Sequence, residues 1–311
     1  MRMITSGEVA AALDFPGLID RLAEAFRSEI AVPLRHHHAV SVPGGSEGTL
    51  LLMPAWQSGR HIGIKIVTVF PDNGQRSLPS VMGVYLLLDG MTGAPVALLD
   101  GPTLTTRRTA AASALAARYL ARPDARRLVM VGTGAMAPQL ITAHATVRPV
   151  REVLVWGRSP EKAEALAAKL TLPDVTIRAT EDLETAVRDA DIVSCATLST
   201  EPLVHGRWLR PGTHLDLVGA FTPRMREADD DAIRAAKIFV DTREGALKEA
   251  GDIVRPIQAG VLSESGIEAD LFDLTRGTHP GRRSAEEITL FKSVGTALED
   301  LAAAQLAAER R

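Results

Sequence analysis

The stretch LVMVGTGAMAPQL, residues 128–140, decides the fold class of this chain. It runs from a continuous apolar segment into two glycines and then into residues that favour a helix. Gly132-x-Gly134-x-x-Ala137 has the spacing of a dinucleotide-binding turn, in which one glycine allows the tight turn and the next lets the backbone approach a pyrophosphate. The helix that follows offers free N–H groups to phosphate. We therefore expect a nucleotide to bind at Gly132, Thr133, Gly134, Ala135 and Met136.

The segments after this turn repeat one pattern. From about 124 to 250, apolar strand-like segments alternate with helix-like ones, which is typical of a parallel sheet covered on both faces. After the segment 152–157, Ser159 can cap a helix and Pro160 suits its first position. The pattern predicts an α/β domain with a Rossmann-type doubly wound parallel sheet over 122–283. Its strand-like segments are 127–132, 152–157, 175–180, 191–197, 214–220 and 237–242.

The first 121 residues have a different pattern. An amphipathic segment at about 6–29 predicts one helix, and short alternating segments then predict an antiparallel sheet. A helix from about 104 to 121 leads into the Rossmann unit. Near the C-terminus, Ser284-Ala285-Glu286-Glu287 has the spacing of a capping box and predicts a long helix to about 309. We expect 284–311 to pack back on 1–121 and complete a discontinuous α+β domain.

Composition excludes several classes of protein. Apolar residues make up 46% and charged residues 23% of the 311, as in ordinary globular proteins. The net charge of −3 offers no basic field to nucleic acid or acidic lipid. A single cysteine, Cys195, excludes an intrachain disulfide and fits a reducing compartment. With no pattern of a signal peptide or membrane span, we expect a cytoplasmic protein without nucleic-acid or membrane partners.

Three positions suggest chemistry, each with an alternative. After the second predicted strand, Arg158 and Ser159 stand where an NAD-binding domain usually has an acid, which favours NADP(H) over NAD(H) unless Arg158 is a solvated loop residue. Arg108 shares a helix face with apolar residues, so it needs either a protein carboxylate or an anionic ligand. Lys65 alternates with Ile64 and Ile66 on a strand, and it is either a desolvated acid or base or a lysine that reaches solvent.

Histidines do not point to a metal. His36, His37 and His38 are consecutive, and consecutive residues of a strand alternate between its faces. We therefore expect no metal site there.

Several segments together resemble one family. They are GIKIVTVFPDN, RRTAAASALAARYL, VGTGAMA, VDTREGALKEAGDI and LFKSVGTALEDLAAA, in that order from about residue 33 to the C-terminus. The chain is similar in these segments to the ornithine cyclodeaminase/μ-crystallin family. The resemblance implies a homodimer whose N-terminal domain holds an amino or imino acid against the nicotinamide bound by a Rossmann domain.

The resemblance also implies roles for particular residues. Arg35 and Arg108 match the arginines that bind the substrate carboxylate, and Lys65 matches the active-site lysine. Met53 and Phe221 fall among the substrate-binding positions. Lys292, Ser293 and Val294 fall where the family's C-terminal helix passes near the nicotinamide, and Thr197 ends a strand that faces the cofactor.

One departure from the family pattern bears on the reaction. Cyclodeaminases carry G-x-D-x-P-G-K-x-E-L after the fifth strand, and this chain reads GAFTPRMRE from Gly219 to Glu227, with Phe221 in place of the aspartate. A phenyl ring cannot accept a proton, and loss of ammonia with cyclisation needs such a group, whereas hydride delivery to an existing C=N does not. We therefore predict an NAD(P)H-dependent reductase of a cyclic imino acid, forming L-proline from Δ1-pyrroline-2-carboxylate or the six-membered homologue.

Three other functions stay open at this point. One is an ornithine cyclodeaminase that uses another acid, and a second is an alanine or opine-type dehydrogenase. The third is a non-catalytic, crystallin-like protein that binds NADPH.

Overall fold

A computed structural model describes residues 1–310, which divide into two compact units. The first unit comprises Met1–Arg108 together with the chain from Thr296 onward, and the second comprises Thr109–Gly295. The first is built on a six-stranded mixed sheet and the second on an eight-stranded parallel sheet. The predicted fold class, a Rossmann-type domain with a discontinuous α+β domain, is confirmed.

The sheet of the first unit has the strand order β1-β6-β5-β4-β3-β2. Its strands are antiparallel except that β1 runs parallel to β6, so the predicted purely antiparallel sheet is corrected to a mixed one. A 3₁₀ helix, Pro71–Arg76, lies within this part of the chain. The strands are β1 (Arg2–Ile4), β2 (His36–Val40), β3 (Gly48–Gln57), β4 (His61–Val69), β5 (Val81–Asp89) and β6 (Pro95–Asp100).

The amphipathic segment near the N-terminus forms two helices, so the prediction of one helix over 6–29 is wrong. They are α1 (Ser6–Ala12) and α2 (Phe15–Arg27). The break has a local cause: the Asp14 side chain accepts the Gly17 N–H, and Pro16 stands in the first turn of α2. An N-cap followed by proline starts a new helix. The helix predicted at 104–121 is present as α3 (Gly101–Leu120).

The parallel sheet of the second unit has the order β13-β12-β14-β11-β10-β7-β8-β9. Strands β8 and β9 lie on one side of β7 and β10 lies on its other side, so the order in which strands are added to the sheet reverses between β7 and β10. The predicted cap is confirmed, because Ser159 Oγ accepts the Lys162 N–H at the start of α5. The strands are β7 (Arg127–Val131), β8 (Glu152–Trp156), β9 (Thr176–Ala179), β10 (Ile192–Cys195), β11 (His214–Leu217), β12 (Ala236–Val240), β13 (Ile267–Asp270) and β14 (Ile288–Lys292). The helices are α4 (Ala137–Val147), α5 (Pro160–Lys169), α6 (Leu183–Asp189), α7 (Asp230–Ala235), α8 (Arg243–Glu249), α9 (Gly251–Gln258) and α10 (Leu271–Arg276).

The C-terminal helix begins later than predicted. Residues from Ser284 form a turn, in which Ser284 Oγ accepts the N–H groups of Glu286 and Glu287, and the chain then enters β14. Because β14 pairs with both β11 and β12, it lies inside the sheet, and pairing with two neighbours overrides the local helix signal. The last helix is α11 (Ala297–Glu309), capped by Thr296. A helix over 284–309 is therefore wrong, and residues 284–295 belong to the second unit.

Candidate active-site residues in each unit

One row of side chains crosses the sheet of the first unit. Met53, Lys65 and Tyr85 are direct partners on β3, β4 and β5, so their side chains share one face. Arg35 lies just before β2, outside the residues that pair with β3. Helix α11 packs against β3, β4 and β5. Two of the predicted site residues, Met53 and Lys65, therefore belong to the same row, and a third, Arg35, is close enough to Lys65 for its charge to lower the lysine's pKa.

Lys65 is buried and ion-paired. Its side chain is 4% exposed, and Nζ lies 2.7 Å from Asp300 Oδ2 on α11. The pKa of Lys65 is lowered to about 8, chiefly by burial; Asp300 opposes the decrease, and repulsion from Arg108 and Arg35 contributes to it. The alternative in which this lysine reaches solvent is excluded. A lysine with this pKa is mostly protonated at neutral pH and able to donate its proton.

Arg108 is held by two carboxylates of α11. Nε donates to Asp300 Oδ1 at 2.8 Å and Nη1 donates to Glu299 Oε2 at 2.6 Å, and all three side chains are buried. Of the two alternatives for Arg108, the structure shows the protein carboxylate. Asp300 takes Lys65 on one oxygen and Arg108 on the other, so both cations keep fixed directions.

Asp300 and Glu299 were missed by the sequence reasoning. They stand together in the first turn of a mostly apolar helix that is buried from Ala297 to Ala307. That pattern was the available signal, because buried acids require partners. The predicted cations Lys65 and Arg108 are those partners.

Tyr85 completes the row. Its buried hydroxyl has no hydrogen-bond partner among residues 1–310. Burial, and then the charge of Asp300, raise the pKa of Tyr85 well above its usual value, so the phenol stays neutral. Gly63 leaves room for it, since a Cβ there would lie 1.9 Å from the hydroxyl oxygen.

The nucleotide turn of the second unit has the backbone that a dinucleotide requires. Gly132 has a φ of +120°, and a Cβ there would lie 2.6 Å from the Ala196 carbonyl oxygen. Gly134 has no atom within 4 Å of an added Cβ, so its outer side is open. Thr133, Ala135 and Met136 connect these glycines to α4, whose first turn contains the buried Ala137. The residues present fit a pyrophosphate at the start of α4.

Further predicted residues lie at the carboxyl ends of the neighbouring strands. Thr197 follows β10, and its N–H and hydroxyl both donate to Glu227 Oε1, at 2.7 and 2.8 Å. Ser293 and Val294 follow β14, where Asp241 Oδ2 accepts the Ser293 hydroxyl and the Val294 N–H. They lie in a loop rather than on the C-terminal helix, and Lys292 is the last residue of β14, which corrects the helical placement.

Two exposed residues sit near these strand ends. Phe221, four residues beyond the end of β11, is 46% exposed and follows Ala220, whose φ is +47°. Arg158 is exposed just after β8. Beside it, Ser159 Oγ donates to Glu161 Oε2 at 2.6 Å, so an acid that the sequence reasoning overlooked lies close to the proposed ribose position.

The sequence profile of the ornithine cyclodeaminase/mu-crystallin family matches residues 2–311. The chain belongs to this family. A family member from Paracoccus denitrificans named Delta(1)-pyrroline-2-carboxylate reductase is 43% identical over 259 residues, covering 83% of this chain and 82% of that protein.

Two solved structures are similar to this chain over nearly its whole length. The Delta(1)-pyrroline-2-carboxylate reductase of Thermococcus litoralis, in complex with NADH and L-proline, has a TM-score of 0.91 at 35% identity and covers 99% of this chain and 97% of that one. An archaeal alanine dehydrogenase dimer with bound NAD has a TM-score of 0.90 at 30% identity and covers 99% of this chain and 95% of that one.

Residues 1–310 contain neither a membrane-spanning helix nor a metal-binding cluster of side chains. No helix there is long and apolar enough to span a membrane. Nor do three or more His, Cys, Asp or Glu side chains in that range gather as they would around a metal ion.

Proposed function

We propose that this family member is an NAD(P)H-dependent reductase of a cyclic imino acid, with Δ1-pyrroline-2-carboxylate as substrate and L-proline as product. The observation that carries the proposal is Lys65, a buried lysine whose pKa is lowered to about 8 and which lies within reach of the charges of Arg108 and Arg35. Similarity to two proteins named for that reduction supports it.

The chemistry requires an anion site and a proton donor. Arg35 binds the carboxylate of the imino acid, Arg108 adds positive charge beside it, and Met53 forms an apolar wall. Lys65 donates a proton to the ring nitrogen or stabilises its protonated form, which makes C2 more electrophilic. When bound, the nicotinamide supplies the hydride to C2. One hydride and one proton convert C=N to CH–NH.

The residue at position 221 favours reduction over cyclodeamination. Phe221 has no group that accepts a proton, and ammonia loss from a diamino acid needs one. An aromatic side chain at the end of β11 suits contact with an apolar ring. To test the reaction, imine and cofactor are mixed with the protein and the product is identified. Formation of L-proline with one NAD(P)H oxidised per imine supports the proposal, and absence of proline formation contradicts it.

For the cofactor, we infer a preference for NADP(H) over NAD(H). Exposed Arg158 supports it, because a guanidinium binds a 2′-phosphate well and no acid ends β8. Glu161 opposes it, since its carboxylate takes the Ser159 hydroxyl and would repel a phosphate. The preference therefore rests on Arg158.

We also propose that the protein acts as a homodimer through the sheet of the first unit. The face opposite Lys65 is apolar and partly exposed, and it includes Trp56 and Val84, each 37% exposed. An apolar patch of this kind marks a protein interface. Its residues are Leu52, Pro54, Trp56, Ile62, Ile64, Ile66, Val84, Leu86 and Leu88.

A further inference from the structure

A second buried charge cluster lies in the second unit, at the carboxyl ends of β10, β11 and β14. It consists of Glu227, Asp252 and Lys292, all fully buried. Lys292 Nζ lies 3.8 Å from Asp252 Oδ2, and it donates to the carbonyl oxygens of Leu217, at 3.1 Å, and Gly219. Lys292 therefore holds the chain that leaves β11.

Glu227 holds the chain that leaves β10. Its Oε1 accepts both hydrogen bonds from Thr197, and its own N–H donates to Asp252 Oδ1 at 2.8 Å. A Cβ on Gly219 would lie 2.4 Å from Glu227 Oε1 and 2.2 Å from the Thr197 carbonyl oxygen. The two chains thus meet across the Glu227 carboxyl group, and only glycine fits between them.

Burying these charged groups costs free energy, although they do connect the loops that follow β10 and β11. Burial raises the pKa of Glu227 to about 7 and also raises that of Asp252, so the folded chain resists ionising both. Apolar side chains of similar volume would join the same loops at lower cost. A carboxyl group supplies what they cannot, a directional acceptor for the N–H and hydroxyl of one residue. The feature that Glu227 maintains is the orientation of Thr197.

The strand order indicates which part of a dinucleotide lies beside Thr197. The pyrophosphate turn follows β7, and Arg158 follows β8 on one side of it. An extended dinucleotide crosses the point where the strand order reverses, so its other half lies toward β10 and β11. That half carries the nicotinamide.

We propose that Glu227 is a positioning residue, which fixes Thr197 and the chain that leads to Phe221 so that the nicotinamide half of the cofactor is held at the ends of β10 and β11. The proposal rests on the cofactor binding of the proposed function. It does not depend on which substrate is reduced.

The test compares a whole cofactor with a fragment of it. The affinities are measured by calorimetry for NADPH and for 2′-phospho-ADP-ribose, which lacks the nicotinamide, or for NADH and ADP-ribose if those bind more tightly. The variants are Glu227→Leu, which keeps the volume and removes the acceptor, and Glu227→Gln, which keeps an acceptor oxygen. Asp191→Asn is the matched control, since Asp191 is a buried, hydrogen-bonded carboxylate at the opposite end of β10.

Glu227→Leu should weaken binding of the whole cofactor about tenfold, the size expected for one or two lost hydrogen bonds, and change the fragment's affinity less than about twofold. Glu227→Gln should keep most of the parent's affinity for the whole cofactor. Asp191→Asn should not weaken binding of the whole cofactor more than binding of the fragment. An equal loss for cofactor and fragment, or no loss for either, would overturn the proposal.

Thr197→Val covers the case in which Glu227→Leu does not fold. It removes the hydroxyl partner of Glu227 and should weaken binding of the whole cofactor by about threefold, with no change in the affinity for the fragment. Equal losses for cofactor and fragment again contradict the proposal. Because every readout is an affinity, a protein that reduces no imine still gives a decisive result here, while failure to bind either cofactor would contradict the proposed function itself.

Discussion

Lys65 and Asp300 form a buried ion pair that joins β4 to α11, with Nζ 2.7 Å from Oδ2. The other oxygen of the same carboxylate takes Arg108 Nε at 2.8 Å. One acid therefore raises the pKa of the proposed proton donor and fixes the direction of a proposed anion-binding group. Removing one partner of a buried pair typically costs about 3–5 kcal/mol, so substitutions here affect stability as well as chemistry.

Substitutions of Lys65 test its role as the acid. Lys65→Met keeps the length and removes the proton, and we expect kcat to fall by about two orders of magnitude while NADPH binds nearly as before. Lys65→Arg keeps the charge and cannot deprotonate near neutral pH. If Lys65 acts as a proton donor, the kcat of Lys65→Arg should also be much lower than that of the parent. If Lys65→Met keeps most of the parent's kcat, Lys65 does not act as the acid.

The pH profile of the parent follows from the same group. A proton donor with a pKa near 8 is charged below that pH and neutral above it, so kcat/KM for the imine should fall as the pH rises through about 8. Asp300→Asn removes a negative charge that raises the pKa of Lys65. This variant should therefore lose activity at a lower pH than the parent does.

A control for Asp300→Asn lies on the same helix. Glu309→Gln removes a partly exposed carboxylate that pairs with Arg21, and it should leave the pH profile unchanged. A shift to higher pH in Asp300→Asn, or the same shift in both variants, would contradict the assigned coupling of Asp300 to Lys65.

The two arginines should differ in what they contribute. Arg35 is half-buried, so Arg35→Ala should raise the KM for the imine about tenfold or more with little loss of stability, because a charge-assisted contact is lost. Arg108→Ala should raise KM and also lower the free energy of unfolding by about 3–5 kcal/mol, since it removes the guanidinium that two buried carboxylates, Glu299 and Asp300, accept hydrogen bonds from. Denaturant unfolding beside steady-state kinetics separates these effects, and unchanged KM in Arg35→Ala would remove Arg35 from the substrate site.

The proposed cofactor preference involves two residues of opposite charge, Arg158 and Glu161. We expect the parent to have a higher kcat/KM with NADPH than with NADH, Arg158→Asp to reverse that order, and Glu161→Gln to increase the preference for NADPH. The measurement is kcat/KM for both cofactors in each protein. Equal values in the parent would contradict the preference.

Local sequence signals were sufficient to predict part of the fold and of the candidate site. The rest depends on residues that are distant along the chain. The turn at Gly132 and the cap at Ser159 depend on neighbouring residues, and both were predictable. β14 was not, because a local turn at Ser284 imitates a helix start and the strand is defined by β11 and β12. The residue type of Arg108 predicted that it needs a partner, but the partner Asp300 lies 192 residues away along the chain.

We propose that the protein reduces a preformed cyclic imine and does not make one from a diamino acid. The most direct measurement sets two assays of the purified protein side by side: NADPH oxidation with Δ1-pyrroline-2-carboxylate, and ammonia release from L-ornithine with NAD⁺. With Phe221 in place of an acid, we predict imine reduction to L-proline and ammonia release no faster than the blank. Ammonia release at a rate comparable to imine reduction would contradict the account, because another group would then handle the protons of the amine.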